Sequence, residues 1–256
     1  KTENVMKKKS IALLLLAAMT RISCEDILNI DSPTDSLTAD VTFSTPEGIR
    51  TAAMGFFTSN YHTNIMYYQA LELYVSEFCD ELKARDVTMA EYYQSSYSAS
   101  TSNIESMWTK LYESIYISND FLIHVEGSTV IPQKELDIYQ GEALFFRALD
   151  YFYLVNLFGD VPLLTTSDVS VTSAAGRTPK AEVYQQIITD LQNAQRMLQG
   201  TTNGNTRITV DAATALLARV YLYLEQWDKA IAEANRILPV VDGGQSNKYQ
   251  LETIDR

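Results

Sequence analysis

The chain has 256 residues, 46% of them apolar, and carries 20 basic against 32 acidic side chains. That length and apolar content suit one or two domains with a real core, and they exclude a disordered chain or a membrane bundle. The net charge is −12, and residues 1–23 alone carry +4, which leaves −16 on the remainder, a surface that repels phosphate backbones and excludes a nucleic-acid partner.

Ten Gly and six Pro are few for this length, which favours long regular segments over a loop-rich β protein. In chain order, Met6 reads as the start, with Lys1–Val5 upstream of it. Lys7, Lys8 and Lys9 form a basic region, and Ile11 to Met19 is apolar. An apolar run that short falls below the ~20 residues that span a bilayer and reads as a cleavable export signal. Cys24 stands just past it, followed by Glu25 and Asp26. Two readings of Cys24 stand: the acylated first residue of a mature lipoprotein, or an incidental cysteine behind ordinary signal cleavage. Ile27 to Asp40 is rich in Ser, Thr and Asp and reads as an extended tether.

From Ser44 onward the apolar spacing is helical. Thr45, Pro46 and Glu47 predict a helix start: a hydroxyl cap, a proline in the first turn and an acid near the positive end of the dipole. That helix is expected to reach about Thr58. A second is expected over Met66 to Lys83, with Leu71, Tyr74, Val75, Phe78 and Leu82 on one face. A third is expected over Asn103 to Val125, with Trp108, Leu111, Ile115 and Leu122 inward.

The fourth follows Pro132 and closes at Gly159 and Pro162. Phe145, Ala148, Phe152, Val155 and Phe158 step by three and four, and Leu144, Leu149, Tyr151 and Leu154 widen the stripe nearly all round. Such a helix belongs in the middle of a stack. Its Glu142, Arg147 and Asp150 are expected to pair on the remaining polar strip. Ser170 to Lys180 reads as a break, and Thr178 with Pro179 as the start of a fifth helix facing Tyr184, Ile187, Leu191, Ala194 and Leu198 inward. Two more helices, Val210 to Leu224 and Gln226 to Leu238, have almost no gap and must lie antiparallel. Leu217, Ala218, Tyr221, Trp227 and Ala230 follow the tetratricopeptide (TPR) spacing. The expected fold is all-α: a TPR-like superhelix of antiparallel helix pairs behind an extended N-terminal tether.

Signals for catalysis, metals and cofactors are lacking. His62 and His124 lie far apart, without a partner at ligand spacing. Cys79 sits among Glu77, Asp80 and Glu81, which would raise rather than lower a thiol pKa, and is expected to be a small buried hydrophobe. No glycine-rich phosphate loop follows a strand, and no carboxylate pair is marked out for glycosidase chemistry. The binding candidates lie in Ala84 to Ser102, where Arg85, Asp86, Tyr92, Tyr93, Gln94 and Tyr97 cluster without helical periodicity. Exposed Tyr rings stack on the apolar faces of sugars, while Arg, Asp and Gln hydrogen-bond their hydroxyls. The alternative is that these Tyr pack the loop back onto the helices. A second, weaker patch is Asn60, Tyr61, His62, Asn64 and Tyr67.

The stretch Gly141–Leu164, GEALFFRALDYFYLVNLFGDVPLL, resembles the signature helix and turn of the SusD/RagB family. Cys24–Phe43, Trp108–Leu122 with Asn119, Arg177–Leu191 and Arg207–Ala230 resemble further blocks of that family in the same order, so the resemblance runs from Cys24 to Leu251. It implies a non-enzymatic lipoprotein on the outer face of the Bacteroidetes outer membrane, held by a lipid on Cys24 and by no other membrane contact. It also implies a glycan ligand, a SusC-like TonB-dependent transporter as partner, and no cofactor. Two alternatives remain: a peptide-binding RagB-like member, and a TPR-type protein-interaction scaffold. Two departures stand out. Arg21 and Ile22 occupy lipobox places that family members fill differently, and members continue well past Leu251. The expected organisation is a signal over 1–23, a lipidated tether over 24–43 and a helical domain over 44–256 whose C-terminal half is missing.

Overall fold

A computed structural model describes residues 38–62, 75–82, 92, 94–98, 101–201 and 206–238. The export signal, Cys24 and most of the expected tether lie outside these residues. Nine helices occur among them: α1 (Ala39–Phe43), α2 (Pro46–His62), α3 (Val75–Phe78), α4 (Ser102–His124), α5 (Gln133–Phe158), α6 (Val169–Thr172), α7 (Lys180–Met197), α8 (Val210–Tyr223) and α9 (Trp227–Ile237). The only pairing of the β kind among the described residues is one antiparallel bridge, Val161 with Thr178. The all-α, TPR-like stack expected from the periodicity is therefore the one observed.

α5 is the centre. It packs against α4 and α7 most extensively, and also against α2 and α8, while α7 packs on α8 and α8 on α9. This is the fate expected of a helix apolar nearly all round. Tyr151, Leu154 and Val155 are fully buried, and so are Tyr184, Ile187, Leu191 and Ala194 on the facing side of α7. α5 and α7 approach closely at Gly141. A Cβ built there would stand 2.8 Å from Leu198 Cγ and 3.2 Å from Met197 Cβ. Leu198 is wholly buried and has nowhere to withdraw. Gly141→Ala should gain about 1 kcal/mol of helix propensity and lose about 1–3 kcal/mol to overpacking. The expected net result is a lower denaturation midpoint in urea; a raised midpoint would show that the two helices can part without cost.

The start of α2 is as expected, with Thr45 Oγ1 accepting from Gly48 N at 3.1 Å. Elsewhere the chain departs from its sequence reading in ways that have physical causes. Ala39–Phe43, placed in the tether, forms a helical turn, because Phe43 has a packing partner: its ring stacks on His124 at 4.7 Å and meets Phe121 edge-on at 5.9 Å. The second helix, expected to reach Lys83, stops at Phe78. Asp80 takes φ 60°, Asp80 N donates to Glu77 O and Glu81 N to Ser76 O, which is a Schellman closure with Asp where Gly is usual. Cys79 therefore lies in an exposed turn and is not the buried hydrophobe expected. The same closure, with Glu225 at φ 57°, joins α8 to α9.

Thr178 does not cap α7. It is engaged in the bridge to Val161, and its hydroxyl accepts from Leu163 N at 3.3 Å. The cap comes from across the turn instead, where Asp160 Oδ1 accepts from Lys180 N at 2.8 Å. The break expected from Ser170 carries the short α6, whose first turn is capped by Asp168 through Ser170 N at 2.8 Å.

The charges of α5 do not share a polar strip. Glu142, Arg147 and Asp150 are all buried. Arg147 grips Asp190 of α7 with two hydrogen bonds, at 2.8 and 2.7 Å, and donates a third to Asn119 Oδ1 of α4 at 2.8 Å. Glu142 pairs with Arg207, which precedes α8. Because α5 is surrounded, Glu142 and Arg147 find their partners on other elements. Asn119 passes the network on, donating from Nδ2 to Leu164 O at 2.9 Å. Tyr151 donates to the same oxygen at 2.9 Å and accepts from Leu164 N, and Tyr112 donates to Pro162 O at 2.8 Å. These bonds pin the segment that leaves α5 against α4. Burial pushes both phenols far above the ordinary tyrosine pKa, which keeps them as donors.

Candidate binding cleft

Three of the six expected binding residues, Arg85, Asp86 and Tyr93, lie outside the described residues, as do the side chains of the Asn60–Tyr67 patch. Tyr92, Gln94 and Tyr97 are described. A tight turn joins them: Ser95 N donates to Tyr92 O at 3.1 Å, and Ser95 takes φ 52°. Coming out of this turn, the Tyr92 and Tyr97 rings lie stacked at 6.1 Å and 21°. Phe78 meets Tyr97 edge-on at 5.5 Å.

The three rings line a cleft of about 520 Å³, whose other walls include Ile104 and Met107 of α4 and Phe158 at the end of α5. That volume lies within the ~300–1,000 Å³ of small-ligand sites. The two tyrosines differ in burial. Tyr92 is 3% exposed and forms part of the wall, whereas Tyr97 is 37% exposed and presents its ring to solvent. Gln94 is exposed in the same turn. Asn156 also lines the cleft, but its amide is committed: Nδ2 donates to Phe152 O at 2.7 Å and Oδ1 accepts from Tyr184 OH at 2.8 Å. The arrangement offers an aromatic platform with Ser98 in its lining and the exposed Gln94 in the adjoining turn, which suits a ligand with apolar faces and a polar rim.

Sequence reasoning did not find the walls. The spacing of Phe78 and Phe158 predicts helix-face residues, and nothing in it marks them as lining a cleft. Tyr97 was legible because it falls in a Tyr-rich segment without periodicity. Among the described residues no group of three or more His, Cys, Asp or Glu side chains is placed to hold a metal ion. No helix among them is long and apolar enough to cross a membrane.

A SusD-like family model, described as "Starch-binding associating with outer membrane", matches residues 30–222. SusD-like protein P2 of Formosa agariphila is 27% identical over 239 residues, which cover 91% of this chain and 46% of that protein. SusD-like protein P25 of the same organism is 24% identical over 246 residues, with the same coverage of 91% and 46%. The chain thus spans about half the length of the curated relatives it matches. Among solved structures, a SusD superfamily protein from Parabacteroides distasonis aligns with a TM-score of 0.69 and 25% identity, covering 85% of this chain and 47% of that one. A laminarin-binding SusD-like protein aligns with a TM-score of 0.68 and 20% identity over 81% of this chain and 46% of its own, a likeness of fold.

Proposed function

The chain belongs to the SusD-like family, described as starch-binding and associating with the outer membrane, and on that premise we propose that it captures glycans at the bacterial surface for a SusC-like TonB-dependent transporter. The observation that carries the reading is the exposed Tyr97 ring, set against Tyr92 and Phe78 in a cleft of small-ligand size, within a chain of a starch-binding family. Aromatic platforms of this kind bind sugar rings with little loss of conformational freedom, because the platform is already ordered. Arg85, Asp86, Tyr93 and Gln94, from the same segment, supply hydrogen bonds to the ligand hydroxyls. A lipid on Cys24 holds the chain to the outer face of the membrane, and the segment between Cys24 and the helical turn at Ala39–Phe43 is its tether. No step of this role requires bond making or breaking by the chain. The apolar side chains exposed around α9, Trp227 at 55% and Ile231 at 58%, suit contact with a protein partner such as the transporter.

Calorimetric titration of the full chain with laminarin, soluble starch and a peptide mixture tests the proposal. At least one polysaccharide should bind, and Tyr97→Ala should weaken that binding roughly tenfold through loss of a stacking platform worth ~1 kcal/mol or more. Binding to none of the polysaccharides, or identical binding by the variant, overturns it. Binding to peptides alone would transfer the reading to the peptide-binding branch.

A further inference from the structure

A second cleft, of about 600 Å³, opens along α4 and is lined by Trp108, Tyr112 and Tyr116. These three aromatic residues recur every fourth position, so one helical turn, about 6 Å, separates each from the next along the axis. The first two side chains are held in place. Trp108 meets Phe158 edge-on at 5.2 Å and Tyr112 at 5.0 Å, and the Arg177 guanidinium lies 5.5 Å from its ring centre. Tyr112 is anchored through its hydroxyl to Pro162 O at 2.8 Å. Tyr116, at the far end of the row, is 50% exposed.

The floor and the rim of this cleft differ in chemistry. Asn119 lies at the floor, and its amide is spent on Arg147, Leu164 O and Thr166 O. Its other lining residues include Glu113, whose carboxylate pairs with Lys110 at 2.6 Å, Thr166, whose hydroxyl accepts from Asp168 N at 3.1 Å, and Thr172. An aromatic row edged by hydroxyls and a carboxylate presents stacking surface along one line and hydrogen-bonding groups beside it. That pattern matches successive sugar rings of one oligosaccharide, whose faces are apolar and whose edges carry hydroxyls. Phe158 lines the Tyr97 cleft while it touches Trp108 of the second, so the two clefts share a wall.

We propose that the Trp108–Tyr112–Tyr116 row is a second glycan-binding cleft, distinct from the Tyr97 cleft, so that a long polysaccharide engages the chain at two places. The inference rests on the glycan-binding reading given above. Two linked sites hold a polymer far more tightly than either alone, whereas a short oligosaccharide occupies one at a time.

The test uses the full chain, with laminarin and soluble starch as probes in calorimetry and affinity electrophoresis. Tyr116 is chosen because it is exposed and, among the described residues, makes no hydrogen bond that its loss would strand. Tyr116→Ala should weaken polysaccharide binding roughly fivefold and leave the melting temperature unchanged. Tyr116→Phe, which keeps the ring, should bind like the parent. In a Tyr97→Ala background, Tyr116→Ala should remove the binding that remains. Polysaccharide binding that is indifferent to Tyr116→Ala overturns the second cleft and leaves the Tyr97 reading standing. A fall in melting temperature with Tyr116→Ala also overturns it, because the row would then be a packing seam for polypeptide. A parent chain that binds neither polysaccharide overturns both readings.

Discussion

Replacing Arg147 by methionine should cost about 3–5 kcal/mol of folding stability, the amount typical when one partner of a buried ion pair is removed. Arg147 is 7% exposed and Asp190 1%. The carboxylate of Asp190 accepts from Arg147 Nε and Nη2 and from Gln186 Nε2, at 2.8, 2.7 and 2.8 Å. Methionine fills much the same volume but leaves that carboxylate with a single side-chain donor in a place water does not reach. The loss also spreads, because Arg147 Nη1 orients Asn119, which holds Leu164 O and Thr166 O. Urea unfolding at neutral pH measures the effect. A double variant, Arg147→Met with Asp190→Leu, should recover a large part of it, since apolar replacement of a whole buried pair is often neutral. A loss under about 1 kcal/mol for the single variant would mean that the pair is hydrated and does not join α5 to α7.

Removing Arg207 should cost about 3 kcal/mol at neutral pH, the low end for a broken buried pair, and the cost should shrink as pH falls. The Glu142 side chain is wholly buried, and the Arg207 side chain is 19% exposed. Burial raises the Glu142 pKa above its ordinary value, and the Arg207 guanidinium partly offsets that rise. The sign follows from linkage. Between the unfolded pKa, about 4.3 for a glutamate, and the raised folded value, the native state binds more protons than the unfolded state. The contribution of Glu142 to stability is therefore fully present below the unfolded pKa and is lost as pH rises through the folded one. Arg207→Ala takes away the offset and raises the folded value further, so the variant falls away from the parent with rising pH and approaches it below about pH 4. Parallel stability curves for the two proteins across that range would sink the account. Arg207 also lies 4.9 Å from the Phe57 ring centre and 5.3 Å from that of Tyr139, so part of the loss is cation–π packing. Arg207→Lys keeps the charge and gives up the planar fork, so it measures the part of the loss that depends on bidentate geometry.

Of the residues that line the candidate cleft, Tyr92 and Tyr97 were legible for a compositional reason. A segment that concentrates tyrosine but lacks helical spacing cannot bury all its rings on one helix face, and among its described residues Tyr97 is the tyrosine in contact with solvent. Tyr92, five places earlier, has the same local signals and ends up in the wall, because Tyr97 stacks over it. No sequence rule separates the two. The partners of Glu142, Arg147 and Asp160 were out of reach for a related reason. Their partners stand 20 to 65 positions away, and many acids and bases on neighbouring helices were equally eligible.

The order of helices and the inward faces of α5, α7 and α8 were written in the chain itself, because a period of 3.6 residues repeats within a dozen positions and depends on nothing distant. Family membership was legible in the same way, through blocks of local sequence in a fixed order. Only the tertiary structure decided where α3 stops, which charged side chains meet across α5, and which two faces of α4 open as clefts. The end of α3 turns on a local closure with Asp80 in the left-handed region, which the apolar spacing does not announce; the charge pairs and the clefts depend on groups brought together from remote parts of the chain, where a charge inside the stack must find its partner on whatever element packs there.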